Sequence, residues 1–91
     1  MNIHIPTPLR TFTDQKEVIS VSAPTVAGAL EALVSEYPPL RENLFGADGK
    51  LRSFVNIYLN EDDIRYLASK EQSLTKDSDE ITIIPSIAGG L

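Results

Sequence analysis

The chain contains no cysteine among its 91 residues. Disulfide bonds, thiolate zinc sites, iron–sulfur ligation and catalysis by a thiol nucleophile are therefore excluded. Histidine is almost as scarce, because His4 is the only one. No second base or nucleophile lies near it in the sequence, so an ordinary position on a strand is a better interpretation of His4 than a catalytic triad.

Long apolar runs and an excess of basic residues are also missing. No stretch approaches about 18 apolar residues, and no basic segment followed by an apolar run begins the chain. We therefore expect a cytosolic protein without a membrane segment. Eight Lys and Arg against thirteen Asp and Glu give a formal charge of -5. An acidic surface repels phosphate backbones, which argues against nucleic acid and favours a protein partner with a basic surface.

The acidic and glycine clusters do not form recognisable ligand sites. Residues 61–63 and 77–80 are rich in carboxylates, but they lack the alternating ligands and central glycine of a calcium loop. Solvated turns are the better interpretation, and we expect no bound metal. Gly46 and Gly49 do not lie between a strand and a helix, so they do not form a phosphate-binding loop.

Alternating apolar residues predict an N-terminal β-hairpin. Residues 2–10 begin as one strand, and residues 18–23 alternate as a second short strand. A short polar turn around residues 13–16 joins them. Pro6 and Pro8 have no amide hydrogen to donate, so we expect them at a strand end or on a sheet edge.

A helix follows the hairpin. Thr25 can cap its first turn, and Pro38 ends it because proline has no amide donor. Gly28 lies inside this helix, where it costs roughly 1 kcal/mol relative to alanine, and we expect it to allow close approach to a strand. The apolar face, at helical spacing, consists of Val26, Leu30, Leu33, Val34 and Tyr37.

The second half of the chain reads as strands and turns. Its segments are, in order, a turn at 46–49, a central strand at 53–60, a turn at 60–63, a short segment at 64–67 and a last strand at 81–84 that Pro85 ends. The order β-β-α-β-(β)-β predicts an α+β fold with a mixed sheet packed on one main helix. The helix is long enough for a parallel crossover between the second and third strands. A chain of this size holds one core but hardly a deep cavity as well.

Gly89 and Gly90 stand out at the end of the sequence, before Leu91. Such a pair arises there by chance about 1–2% of the time, given average glycine usage, and chain ends also tolerate small residues. Glycine has no Cβ, so a Gly-Gly segment can pass through a narrow channel. The steps from Pro85 to Gly90 span up to roughly 17 Å when extended.

Three segments resemble the ubiquitin-like, β-grasp sulfur-carrier family of the ThiS/MoaD type. They are residues 79–90, which read Asp-Glu-Ile-Thr-Ile-Ile-Pro-Ser-Ile-Ala-Gly-Gly, residues 54–60, and the acidic residues and arginine at 62–65. The family includes the thiamin sulfur carrier and the small subunit of molybdopterin synthase. The likeness is strongest to the members that serve cysteine synthesis in mycobacteria. It implies a β-grasp domain over residues 1–85 and a flexible tail over residues 86–91.

The resemblance also implies a function without catalysis by the chain itself. An ATP-dependent adenylyltransferase of the ubiquitin-activating type would adenylate Gly90, and a sulfur donor would convert it to a thiocarboxylate, with Gly89 as the threading residue. The carrier would bind no cofactor. In the mycobacterial pathway a pyridoxal-phosphate-dependent cysteine synthase receives the sulfur, and a metallopeptidase later releases the amino acid.

Leu91 departs from the family pattern, in which the mature chain ends in Gly-Gly. We expect a peptidase to cleave the bond between Gly90 and Leu91; a member that has lost carrier function is the alternative. Phe54, Tyr58, Ile84 and Pro85 are candidates for an apolar surface that docks partners, or for a second small apolar cluster. A protein modifier that forms isopeptide bonds and a binding module without covalent chemistry also fit the sequence, which does not indicate the pathway that receives the sulfur.

Overall fold

The computed structural model describes residues 1–52, 55–67 and 75–85. Within these ranges the chain forms one five-stranded sheet and two α-helices. The strands are β1 (Asn2–His4), β2 (Val18–Ser20), β3 (Val55–Leu59), β4 (Asp62–Asp63) and β5 (Glu80–Pro85). The helices are α1 (Val26–Glu36) and α2 (Arg41–Leu44), with 3-10 helices at Thr7–Thr13, Pro38–Leu40 and Ile64–Tyr66. No helix within the described ranges is long and apolar enough to cross a membrane.

The strand order across the sheet is β2-β1-β5-β3-β4. The only parallel pair among the described strands joins β1 to β5, and the other neighbours are antiparallel. The prediction that residues 53–60 form the central strand is therefore wrong, because β5 occupies the centre. The α1 connection does not make β2 and β3 parallel neighbours either. The connection through α1 leads from β2 at one edge of the sheet to β3 near the opposite edge. β5 then inserts between β1 and β3.

The predicted N-terminal hairpin is confirmed as the antiparallel pair of β1 and β2, but its connection differs from the prediction. β1 ends at His4, and the segment predicted as a strand end followed by a short turn instead contains the 3-10 helix Thr7–Thr13. Proline suits the start of a helix because its missing amide hydrogen is not needed there, and Pro8 lies in that first turn. The connection is anchored by Thr13, whose buried hydroxyl lies 3.0 Å from the carbonyl oxygen of Lys16.

The predicted helix is confirmed as α1. The hydroxyl oxygen of Thr25 accepts a hydrogen bond from the backbone amide of Gly28 at 3.0 Å, as an N-cap should. The expected close approach of Gly28 to a strand is wrong. A Cβ atom at this position would lie 3.2 Å from Cβ of Ala23 and 3.3 Å from the Thr25 hydroxyl. The tight contact is therefore with the loop that precedes the helix, which folds back over its first turn.

The core lies between α1 and one face of the sheet, called here the inner face. The strand side chains buried there are Ile3, Ile19, Val55, Ile57, Ile81 and Ile83. The helix contributes Val26, Ala29, Leu30, Leu33 and Val34. Alternate strand residues point to opposite faces of a sheet, so the side chains between these strand residues project from the other face, called here the outer face.

The predicted turn and short segment at residues 60–67 are arranged differently in the structure. Asn60 turns the chain with a positive φ of 57°, and Asp62–Asp63 already pair with β3 as the edge strand β4. Ile64–Tyr66 then form a 3-10 helix in which Ile64 is buried. A two-residue strand is too short for an alternating pattern, which is why the sequence did not reveal it.

The N-cap contact at Thr25 leads to a stability prediction. Thr25→Ala removes the acceptor for the Gly28 amide, so we expect the free energy of unfolding to fall by about 1 kcal/mol. Thr25→Ser keeps the hydroxyl and serves as the matched control, with a much smaller loss. Urea denaturation followed by circular dichroism measures both changes. Equal losses for the two variants would contradict the capping role.

Candidate functional site

The predicted tail begins where β5 ends. Pro85, the last residue of β5, pairs with Val55 of β3. Gly89, Gly90 and Leu91 lie outside the described residues, so the flexible tail and its chemistry stay predictions. The structure does describe the strand that leads to them. β5 pairs with β1 through residues Glu80 to Thr82 and with β3 through Ile81 to Pro85, so the origin of the tail is fixed to the sheet.

A row of side chains crosses the outer face through all five described strands. Each residue lies opposite the next in the strand register. The row consists of Val18, His4, Thr82, Tyr58 and Asp63. It joins an exposed apolar residue at one edge to a carboxylate at the other, and no α-helix of the described ranges packs over it. The outer face is therefore the broad surface available to a partner.

Two of the predicted docking residues share this face. Tyr58 lies opposite Thr82, and Ile84 lies two residues further along β5, so the two side chains are diagonal neighbours. Ile84 is 45% exposed. Pro85 alternates with Ile84 and is on the inner side, where it is half-buried. Phe54 lies outside the described residues. The docking role of all four stays a prediction.

His4 joins a polar network on the outer face. Its Nε2 lies 2.5 Å from Oε1 of Glu80, whose other oxygen accepts from the side-chain amide of Asn2 at 3.2 Å. Ser20 donates to the oxygen of that amide at 2.9 Å. The hydrogen bond from His4 is the main cause that holds the pKa of Glu80 below its usual value. The network connects β2, β1 and β5. The predicted position of His4 on a strand is confirmed, because His4 is the last residue of β1.

Sequence reasoning missed a second polar group at the β4 edge of the outer face. Asp63 caps the last 3-10 helix by accepting from the Arg65 backbone amide at 2.9 Å. The Arg65 guanidinium donates to both carboxylate oxygens of Asp63 and also to the side-chain oxygen of Asn56. Bonding to Arg65 lowers the pKa of Asp63. The spacing of Asp63 and Arg65 suggests a local turn, but nothing in the sequence links them to Asn56.

A third missed group holds the start of β5. Asn60 donates from its backbone to the Glu80 carbonyl at 2.7 Å, and its side-chain oxygen accepts from the Glu80 amide at 3.0 Å. Its side-chain nitrogen donates to the buried carboxylate of Asp79 at 3.1 Å. Asp79 also accepts from the backbone amide of Lys76 at 2.8 Å. These bonds, led by the one from Asn60, lower the pKa of Asp79.

A cleft of about 220 Å³ lies between α1 and the hairpin after α2, which is smaller than the roughly 300–1,000 Å³ of typical ligand pockets. Within residues 1–52, 55–67 and 75–85, no three His, Asp or Glu side chains are grouped to hold a metal ion.

Comparison with known proteins shows which sequences and structures this chain resembles. The sequence model of the ThiS family matches residues 3–90. The chain is 35% identical to the sulfur carrier protein CysO of Mycobacterium tuberculosis over 92 residues, which covers 99% of this chain and 98% of that protein. The crystal structure of that CysO has a TM-score of 0.84 at 33% identity, covering 93% of this chain and 97% of that one.

Two further structures extend the comparison. The Amycolatopsis orientalis BexX/CysO complex contains a chain with a TM-score of 0.86 and 31% identity, with 98% of both chains covered. The small archaeal modifier protein 1 of Methanosarcina acetivorans has a TM-score of 0.88 and 29% identity, covering 98% of this chain and 94% of that chain. These likenesses confirm the predicted α+β, ubiquitin-like β-grasp fold.

The Asn60–Asp79 contact predicts a pH dependence of stability. A carboxyl whose pKa is lower in the folded state stabilises the fold above its unfolded value of about 3.9, and that contribution is lost as the pH falls through the folded pKa. We expect the stability advantage of the wild type over Asp79→Asn to be constant above about pH 5 and to shrink as the pH falls from about 5 to about 2. Urea denaturation across this range measures it, with Asp77→Asn as the control for the loss of one carboxylate. A constant difference between wild type and Asp79→Asn would contradict the assignment.

Proposed function

The chain belongs to the ThiS family of β-grasp sulfur carriers, and from this premise we propose that its carrier group is the carboxyl of Gly90. Carriers of this family are small proteins without catalytic activity of their own. One observation carries the assignment: the family match extends through residue 90, so it includes both Gly89 and Gly90. The fixed end of β5 at Pro85 supports it, because a tail that starts from the sheet leaves the folded domain unchanged while its end is modified.

The proposed chemistry uses ATP on a partner enzyme rather than a cofactor bound by this chain. An activating adenylyltransferase joins the Gly90 carboxylate to AMP, and pyrophosphate leaves. Sulfur from a donor then attacks the acyl carbon, and AMP leaves with the bonding electron pair. The product is a thiocarboxylate at Gly90. Gly89 assists by letting the backbone pass through a narrow channel to the nucleotide.

Leu91 must be removed before this reaction. In the sequence, the carbonyl of Gly90 forms a peptide bond to Leu91, so no carboxylate is available there for adenylation. We propose that a metallopeptidase hydrolyses the bond between Gly90 and Leu91. The alternative is a family member that no longer carries sulfur.

We propose cysteine or homocysteine synthesis in the cytosol as the destination of the sulfur, with a pyridoxal-phosphate-dependent synthase as acceptor. The likeness to CysO over 99% of this chain supports this choice. In that reaction the acceptor takes the sulfur and the carrier is later restored to a carboxylate. A role as the small subunit of molybdopterin synthase is the alternative among sulfur-transfer pathways.

A protein modifier is the second candidate function. The likeness to small archaeal modifier protein 1, at a TM-score of 0.88, favours it. The same activated Gly90 would then form an isopeptide bond with a target lysine instead of accepting sulfur. An immunoblot of cells for higher-mass conjugates distinguishes the two candidates, because a carrier that only transfers sulfur produces none.

The carrier chemistry makes a direct prediction. A chain that lacks Leu91, incubated with ATP, sulfide and the activating enzyme of its organism, should gain the mass that corresponds to replacing one oxygen by one sulfur. Intact-protein mass spectrometry measures this gain. The full-length chain should not react unless Leu91 is first removed, and a shortened chain ending in Gly89 is the negative control. A shortened chain ending in Gly90 that stays unmodified would refute the proposed function.

The outer face gives a prediction about docking. Ile84 and Val18 are similarly exposed, at 45% and 43%, but Ile84 lies on the strand that leads to the tail and Val18 on the far edge strand. If the activating enzyme covers the face near the tail, Ile84→Ala should raise the Kd about tenfold. Val18→Ala is the matched control and should leave the Kd nearly unchanged. Isothermal titration calorimetry with the chain lacking Leu91 measures both values, and equal effects would contradict this placement.

A further inference from the structure

Arg65 provides a positive charge on the outer face, next to the end of β5. The described strands contain neither Lys nor Arg. The guanidinium of Arg65 comes from the 3-10 helix after β4 and bonds to Asn56 on β3. Asn56 lies directly opposite Ile84 in the register of the two strands. The charge is thus located at the end of the sheet from which the tail departs.

The position of this guanidinium is fixed by two acceptors. Asp63 accepts from Nε at 3.4 Å and from one terminal nitrogen at 3.2 Å, and Asn56 accepts from the same terminal nitrogen. The other terminal nitrogen makes no hydrogen bond with the described residues. An arginine side chain held in this way loses less conformational freedom when it binds a further acceptor. The contacts of Arg65 with Asp63 and Asn56 therefore prepare its guanidinium to bind an acceptor on another molecule.

The pair presents its positive group to the solvent. The Arg65 side chain is 53% exposed, whereas that of Asp63 is 10% exposed. An exposed ion pair adds little to stability, so its contribution to folding alone is small. Because the carboxylate is recessed and the guanidinium is not, a partner meets a donor of hydrogen bonds and a positive charge.

Two tyrosines accompany the guanidinium. Tyr58 lies directly opposite Asp63 in the strand register, and Tyr66 follows Arg65 in the same 3-10 helix. Tyr66 is 87% exposed, which is unusual for a large aromatic side chain. Tyrosine and arginine together are the residues in which binding energy is most often concentrated at protein interfaces.

We propose that Arg65 is a docking anchor that binds a carboxylate side chain of the activating enzyme, with Tyr58 and Tyr66 packed against apolar side chains around that carboxylate. This inference rests on the proposed function. The activating enzyme is the occupant that fits, since it must hold the tail and thus cover the adjacent end of the outer face. The chain has a formal charge of -5, so a basic enzyme surface with one acidic residue opposite Arg65 complements it and fixes the orientation of docking.

The test measures binding and turnover separately. Arg65→Ala in the chain lacking Leu91 should raise the Kd for the activating enzyme, and the KM for adenylation, about tenfold or more. The kcat at saturating carrier should not change, because Arg65 does not reach the reacting atoms. Arg65→Lys should recover only part of the affinity, since an ammonium cannot replace the planar fork of a guanidinium. The affinity of the wild type should also fall more steeply with salt than that of Arg65→Ala.

Arg41 offers a matched control. It forms an exposed ion pair with Glu31 on the helix side of the domain, at 2.8 Å and with its side chain 50% exposed. Arg41→Ala therefore removes the same charge from an ion-paired arginine of similar exposure, away from the outer face. It should leave the Kd, the KM and the salt dependence as in the wild type. Circular dichroism at the assay temperature verifies that both variants are folded.

The outcomes separate the anchor from the proposed function. If the wild-type chain lacking Leu91 is never adenylated or loaded with sulfur, the proposed function fails and the anchor with it. If it is loaded and Arg65→Ala behaves like Arg41→Ala, only the anchor is refuted. A normal KM for activation with slower sulfur transfer to the acceptor enzyme would assign the surface to the acceptor and would also overturn the proposal.

Discussion

The fixed position of β5 at the centre of the sheet is the constraint on which the rest of the structure depends. Ile81 and Ile83 are completely buried against the helix side, and burial of such side chains stabilises the fold by about 1.5–3 kcal/mol each. β1 and β3 pair with β5 from both sides. The strand that ends at Pro85 is thus among the hardest of the described strands to displace.

The two faces of the sheet differ because only the inner face packs against α1. Among the described residues, the side chains of the inner face pack against α1 and form the core. The outer face is not covered by either of the described α-helices, and it carries polar groups that hydrogen-bond to one another, such as His4 and Glu80. A surface of this kind binds another protein by its shape and charge. That suits a carrier, whose chemistry takes place in the active sites of other proteins.

Local features of the fold could be predicted from the sequence, whereas long-range ones could not. The cap at Thr25 and the apolar face of α1 follow from residue types at short spacing, and both are observed. The central place of β5 depends on which strands pair across the whole chain, and alternation is the same in β3 and β5. The contact of Asn60 with Asp79 joins residues 19 positions apart. It became visible only when the strands were placed side by side.

The candidate site likewise contains features that the sequence displays and features that depend on long-range contacts. Gly89 and Gly90 could be proposed from the sequence because residues without side chains are visible there directly, and their role stays a prediction because they lie outside the described residues. For that same reason the two glycines carry no information that distinguishes one partner from another. Sulfur carriers that share this ending must be told apart by their folded surfaces. The carboxylate–guanidinium pair of Asp63 and Arg65, held against Asn56, is our candidate for such a feature, because its orientation depends on two separate segments of the chain.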